Sequence, residues 1–257
     1  MKNIIIITGA SSGMGREFAK EICKRETEPF EMWLVARREE RLSELSQELS
    51  VPCRIFPYDL TDREKLWEIR NALAEEELCV KMLVNCSGYG KFSATEDTPV
   101  EGNLNMMDLN CGALMAMCQM CLPYTQRGSR IINIASVASV QPIPYINVYG
   151  ATKAFVLSYS RALNREVKEK GVTVTAVMPF WTKTEFFNRA VEEKNNIVKK
   201  YVAMYEPCDI VNRALRDCAR GKDVSKYGFI ARFQMFLAKI LPHSFVMTYW
   251  MRQQKLF

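Results

Sequence analysis

The sequence has one histidine in 257 residues, His243. No second imidazole exists to complete a metal set or a catalytic pair, so His243 reads as a turn residue within Pro242-His243-Ser244. Long apolar runs are also missing. None approaches the ~20 residues that a membrane-spanning helix needs. The first apolar run, Ile4 to Ile7, is too short for a secretion signal and ends in a glycine turn, so no targeting segment is expected. There is no low-complexity stretch, no linker and no repeat of fixed period, which excludes solenoids and tethered modules. The nine cysteines are odd in number and scattered, and their one C-x-x-C, Cys118 to Cys121, has no second pair and lies in a helical pattern. Neither a disulfide framework nor a metal site is expected from them. They read as small apolar residues in a reducing cytoplasm.

What is present is ordinary globular composition, 48% hydrophobic and 25% charged. Such a chain can bury a full core without metal or disulfide staples. The net charge of +6 is unevenly placed. From Arg220 onward stand Arg220, Lys222, Lys226, Arg232, Lys239, Arg252 and Lys255 against one acid, Asp223, which accounts for the whole excess. The main body is therefore neutral overall, which argues against nucleic acid as a partner.

Apolar, β-rich runs alternate with helical patterns. Strands are expected at Asn3–Thr8, Glu31–Ala36, Cys53–Pro57, Val80–Asn85, Arg130–Ala135 and Val172–Met178. Helices are expected at Gly13–Arg25, Glu39–Leu49, Asp62–Glu77, Glu101–Leu122 and Tyr149–Lys170. The strands are continuous apolar runs rather than alternating ones, the signature of parallel strands covered on both faces. Repeated βα units of this kind give an α/β fold with a doubly wound parallel sheet in a single domain.

The first strand runs into Thr8-Gly9-Ala10-Ser11-Ser12-Gly13-Met14-Gly15. Three glycines sit where the chain must turn sharply into a helix, whose free N–H groups and dipole favour a pyrophosphate. Ser11 and Ser12 add hydroxyl donors. The spacing, G-x-x-x-G-x-G, differs from the usual dinucleotide fingerprint. After the second strand comes Ala36-Arg37-Arg38, with no acid until Glu39. A carboxylate there would bind the ribose 2′-hydroxyl of NAD, whereas guanidinium groups grip the extra phosphate of NADP, so Arg37 and Arg38 favour NADP(H). The alternative is that they are solvated charges at a helix start.

Further along stand Ser136, Tyr149 and Lys153. Tyr149 and Lys153 are four residues apart and share a helix face. Reducing a ketone needs hydride at carbon and a proton at oxygen. A free tyrosine titrates near ~10, and a neighbouring ammonium is expected to lower that value, making Tyr149 the acid/base and Lys153 its tuner.

The glycine turn and the Ser136-Tyr149-Lys153 set, 13 residues separating the first two, resemble the classical short-chain dehydrogenase/reductase family, and the likeness runs in order from Asn3 to Thr184. It implies a Rossmann-type fold. It implies that Gly9, Ser11, Ser12, Gly13, Met14 and Gly15 hold the dinucleotide, and that Asp59 and Leu60 meet its adenine. Asp59 equally suits a helix-capping region, since Thr61 and Asp62 follow. Asn85-Cys86-Ser87-Gly88 resembles the family's Asn-Asn-Ala-Gly element, with Asn85 and Gly88 kept along the cofactor. The resemblance gives Ser136 the substrate oxygen, Lys153 the nicotinamide ribose, and Asn110 a water linked to Lys153. Pro179, Thr182 and Thr184 resemble the segment that meets the nicotinamide, though Phe180 stands where the family has glycine. Homodimers or homotetramers paired through Glu101–Leu122 and Tyr149–Lys170 are implied as well.

Glu185–Tyr205 occupies the place of the family's substrate lid, with Phe186, Phe187, Ala190 and Val191 giving an apolar side. Residues 228–257 form an aromatic and basic extension. Phe229, Phe233, Phe236 and Ile240 fall at helical spacing, with Arg232 and Lys239 between them, and Phe245, Tyr249 and Trp250 follow Pro242. This stripe suits either a peripheral membrane contact or packing against the domain or a second subunit. The expected activity is carbonyl/alcohol interconversion on a hydrophobic small molecule, hydroxysteroid- or bile-acid-like or an acyl ketone. Non-enzymatic alternatives are a dinucleotide sensor and a membrane-associated scaffold.

Overall fold

The computed structural model describes residues 1–190 and 197–256. Among them, seven strands form one parallel sheet: β1 (Lys2–Thr8), β2 (Glu31–Val35), β3 (Cys53–Phe56), β4 (Leu78–Asn85), β5 (Arg130–Ile134), β6 (Thr173–Met178) and β7 (Val224–Lys226). The helices between them are α1 (Gly13–Arg25), α2 (Glu39–Glu48), α3 (Arg63–Ala74), α4 (Val100–Met107), α5 (Leu114–Cys121), α6 (Asn147–Glu166), α7 (Phe186–Ala190) and α8 (Pro207–Ala219), with α9 (Phe229–Ile240) and α10 (His243–Gln253) at the end. The strand order is β3-β2-β1-β4-β5-β6-β7.

Burial on both faces explains the apolar strands. Ile4 and Ile6 join one core with Trp33 and Val35, while Ile5 and Ile7 join a second core with Met32 and Leu34. Successive residues of a strand point to opposite faces, and each face here is roofed by helices, so the strand interiors are predominantly apolar. The chain winds outward from β1 to β3, then crosses back to place β4 on the other side of β1. That reversal opens a crevice at the carboxyl ends of β1 and β4.

The expected helix over Glu101–Leu122 is α4 and α5 joined by a π-type turn, Asp108–Ala113. The extra residue in that turn brings Asn110 inward. The strand β7 and the helix α8 have no counterpart in the sequence reading. β7 is three residues long and pairs with the end of β6. It is held by buried Asp217 of α8, which accepts from Arg213, Lys222 and Ser225. Both Cys118 and Cys121 are buried, unbridged core residues, and among the described residues no acid, histidine and cysteine group suits a metal.

Candidate active site

A cavity of about 610 Å³ lies at the crevice. Its polar end is the glycine turn. Thr8 at the end of β1 accepts from the backbone N–H groups of Cys86 and Ser87, each at 3.1 Å, and so ties the turn to the loop after β4. Gly9 and Gly13 have φ of +68° and +53°, and a Cβ on Gly15 would stand 2.2 Å from the Gly9 carbonyl oxygen. No side chain fits there, which leaves the first turn of α1 open to the cavity. Ser12 caps α1 without a side-chain bond to it. Gly9, Ser11, Ser12, Gly13, Met14 and Gly15 all line the wall.

Arginines flank the turn. Arg37 leans on Asp59 at 3.7 Å. Arg38 donates to Ser11 Oγ at 3.2 Å and pairs with Glu185 at 2.9 Å, and Glu185 also takes Arg41. Arg41 and Glu185 were missed in the sequence. Arg41 stands three residues beyond Arg38 at the start of α2, a helical spacing that could have revealed it. Asp59 accepts from Thr61 N at 2.9 Å and from its hydroxyl at 2.8 Å, so it does order the turn before α3, while it and Leu60 also line the cavity. A cradle of open backbone N–H groups with cations at its rim suits the phosphates of a dinucleotide.

The expected catalytic residues converge at the other side of the turn. Ser136 follows β5 and accepts from Ala138 N at 3.1 Å. Tyr149 and Lys153 project from the first turns of α6, the lysine donating to the Ile134 carbonyl at 2.8 Å with its Nζ 5.7 Å from the Tyr149 ring centre. All three line the cavity. The expected lowering of Tyr149 by Lys153 is not what the structure shows. Burial pushes the Tyr149 hydroxyl up to about 12, with its hydrogen bond to Ser136 pulling the other way. Burial likewise pushes Lys153 down to about 8, with Cys111 and Cys86 opposing. Desolvation favours the neutral form of each group, and the lysine is turned to a carbonyl rather than to the phenol.

Two expected residues are not on the cavity wall. Asn110 is fully buried; its Nδ2 donates to the Tyr89 carbonyl at 2.8 Å and to Thr152 Oγ1 at 3.0 Å, and its Oδ1 accepts from Tyr89 N at 3.0 Å. It pins the loop after β4 to α6. Gly88 lies between it and the lysine, since a Cβ there would meet Asn110 Oδ1 at 2.8 Å and Lys153 Nζ at 3.4 Å. Asn85 donates to Asn133 at 2.9 Å, bridging β4 and β5. Gly88, Pro179, Thr182 and Thr184 do line the cavity.

The far end is aromatic. Phe92, Phe186 and Tyr149 pack ring to ring, as do Trp181, Phe187 and Trp250. Phe180, standing where glycine was expected, also lines this wall. Phe92, Gln141, Gln234 and Gln253 are wall residues that no sequence motif marks, and Trp250 of the aromatic extension joins them. They come from separate elements, and only folding gathers them. Gln141 is 8% exposed and its buried Oε1 has no protein partner. Val191 of the expected apolar cover lies outside the described residues; Phe186, Phe187 and Ala190 belong to a common cluster with Trp250.

Residues 3–195 match the family model described as short chain dehydrogenase. Sulfoacetaldehyde reductase 2 of Chromohalobacter salexigens is 35% identical over 192 residues, 72% of this chain and 75% of that protein. A short-chain dehydrogenase from Sphingobium yanoikuyae, solved in complex with NADPH, is 28% identical with a TM-score of 0.77, over 94% of this chain and 97% of that one. The bulky-bulky ketone specific alcohol dehydrogenase from Comamonas testosteroni is 26% identical with a TM-score of 0.72, over 94% and 95% of the two chains.

Proposed function

Given that the chain belongs to the short-chain dehydrogenase/reductase family and is a NAD(P)-dependent oxidoreductase, we propose that it uses NADP(H) to interconvert a carbonyl and a secondary alcohol on a substrate with a hydrophobic body. The observation that carries this reading is the convergence of Ser136, Tyr149 and Lys153 between a phosphate cradle and an aromatic chamber. The same convergence argues against a non-catalytic sensor. The glycine turn, with Ser11, Ser12 and Met14, would hold the pyrophosphate, and Arg38 and Arg41, with Arg37 beside them, would take the 2′-phosphate. Asp59 and Leu60 would take the adenine, Gly88 would lie along the cofactor, and Pro179, Thr182 and Thr184 would hold the nicotinamide. When bound there, a nicotinamide dinucleotide would supply the hydride chemistry.

Tyr149 is protonated at neutral pH and gives its proton to the carbonyl oxygen, which Ser136 holds. Lys153, anchored on the Ile134 carbonyl beside Tyr149, would hold the nicotinamide ribose. Asn110 and Asn85 act as positioning residues for the loop and the sheet end. Aromatic walls bury an apolar body, and the unpartnered Gln141 Oε1 calls for a hydrogen-bond donor on it. Hydroxysteroid- or bile-acid-like compounds and acyl ketones have that character. Nine unbridged thiols support a cytoplasmic setting. Leu104, Met107 and Phe155 are exposed on α4 and α6, which supports a homo-oligomer paired through them.

The test is NADPH-dependent reduction of a panel spanning steroid, acyl and small polar ketones. Turnover of the apolar members, reduced about 10²- to 10⁴-fold in Tyr149→Phe, is expected. Turnover of small polar ketones alone overturns the hydrophobic reading.

A second observation concerns the outer surface. On α9, Ala231, Met235 and Ala238 face inward, whereas Phe229, Phe233, Phe236 and Ile240 face solvent, Phe229 at 82%. The stripe is therefore not packed on its own domain. Phe245 and Tyr249 of α10 are exposed too, and residues 224–256 carry basic side chains and no acid. A second copy would bring like charge against like charge, so this face favours peripheral contact with an anionic bilayer.

A further inference from the structure

Glu185 stands where an anion is wanted. Its carboxylate spans Arg38 and Arg41, and Arg38 in turn donates to Ser11 of the phosphate turn. Hydrogen bonds from Arg41 and Arg38 hold that carboxyl below the usual range, so it is ionised at neutral pH. The arrangement is a carboxylate between two guanidinium groups beside a serine hydroxyl, the donor set that a ribose 2′-phosphate would use. Both anions cannot occupy it.

Glu185 also sits at a junction. On one side is Thr184, whose side chain lies against Gly13. On the other side α7 begins, with Phe186 5.5 Å from the Tyr149 ring and Phe187 6.0 Å from the Trp181 ring. One peptide unit thus separates the arginine cluster from the wall of the chemical site.

We propose that Glu185 is a specificity-determining residue, an internal competitor that holds Arg38 and Arg41 until the 2′-phosphate of NADP(H) takes them. Its release frees the start of α7 to settle against the substrate end. NAD(H), with a hydroxyl at that position, leaves the Glu185 bridge in place. The competitor rests on the reading of this cavity as a dinucleotide site, but it fails separately.

NADPH and NADH are titrated into wild type, Glu185→Gln and Glu185→Ala, following dihydronicotinamide fluorescence. The bridge is built from exposed ion pairs, each weak, so the NADPH-to-NADH affinity ratio should rise by about three- to tenfold in both variants. An unchanged ratio overturns the competitor. A lower ratio also overturns it and makes Glu185 a residue that orients the arginines for phosphate. If wild type saturates with neither dinucleotide, the cofactor reading itself is wrong. Adenosine 2′,5′-bisphosphate tests the coupling, since it carries the 2′-phosphate but no nicotinamide. It should change the tryptophan emission of wild type, and the change should vanish in Trp181→Phe and shrink in Glu185→Ala. No change in wild type removes the link to α7.

Discussion

Tyr149 and Lys153 show how burial acts on residues that the sequence singles out. The lysine's value lies below that of the unfolded chain, so between about 8 and ~10.4 the unfolded state binds the extra proton. Stability due to Lys153 therefore rises with pH across that window. The stability difference between wild type and Lys153→Met, read from urea melts, should grow in favour of wild type from pH 7 to pH 10; a constant difference would mean the lysine is not desolvated. Gly15 gives a sharper structural prediction. Because a Cβ would meet backbone at 2.2 Å, Gly15→Ala must open the turn, and titration should show dinucleotide affinity falling by at least about tenfold while the fold survives. Gln141→Leu removes a buried amide oxygen without a protein partner. It should stabilise the free protein or leave it unchanged, yet raise KM for substrates bearing a distal polar group.

Elements position these residues in ways that no local pattern encodes. The π-type turn between α4 and α5 turns Asn110 toward Tyr89 and Thr152. A regular helical pattern carries no sign of the inserted residue. The end of the chain clamps the segment that leads back from α7. Gln254, fully buried, accepts from Lys199 N at 2.8 Å and Lys200 N at 3.0 Å and donates to the Lys200 carbonyl at 3.2 Å. Gln254→Ala strands these backbone groups, each unmet bond costing about 1–3 kcal/mol. Thermal melts should show the loss, and proteolysis should begin near residues 197–205. Failure to see either would mean the C-terminal residues do not hold that segment.

At the scale of the molecule, the exposed stripe on α9 and the exposed α4–α6 face make different demands. Wild type should co-sediment with vesicles containing anionic lipid and not with zwitterionic ones, and a Phe233→Ser, Phe236→Ser double variant should stay in the supernatant with its oligomeric state unchanged. If the double variant instead changes the mass measured by light scattering, the stripe is a subunit contact. The cavity connects the two scales, since the inner sides of α9 and α10 supply Gln234, Trp250 and Gln253 to its wall.

The sequence by itself determined the doubly wound sheet, because strands buried on both faces read as predominantly apolar runs. It also made the glycine turn and the Ser136, Tyr149 and Lys153 set legible, because the proposed chemistry needs particular side chains at fixed short spacings. Even the helical spacing of Phe229, Phe233, Phe236 and Ile240 was legible, but not which way the stripe faced. Tertiary structure alone decided what depends on burial and on distant neighbours. That covers the upward shift of Tyr149, the meeting of Glu185 with arginines 144 and 147 residues away, and a substrate wall gathered from separate helices. Desolvation and long-range charge pairing are properties of the folded interior, and they have no period along the chain.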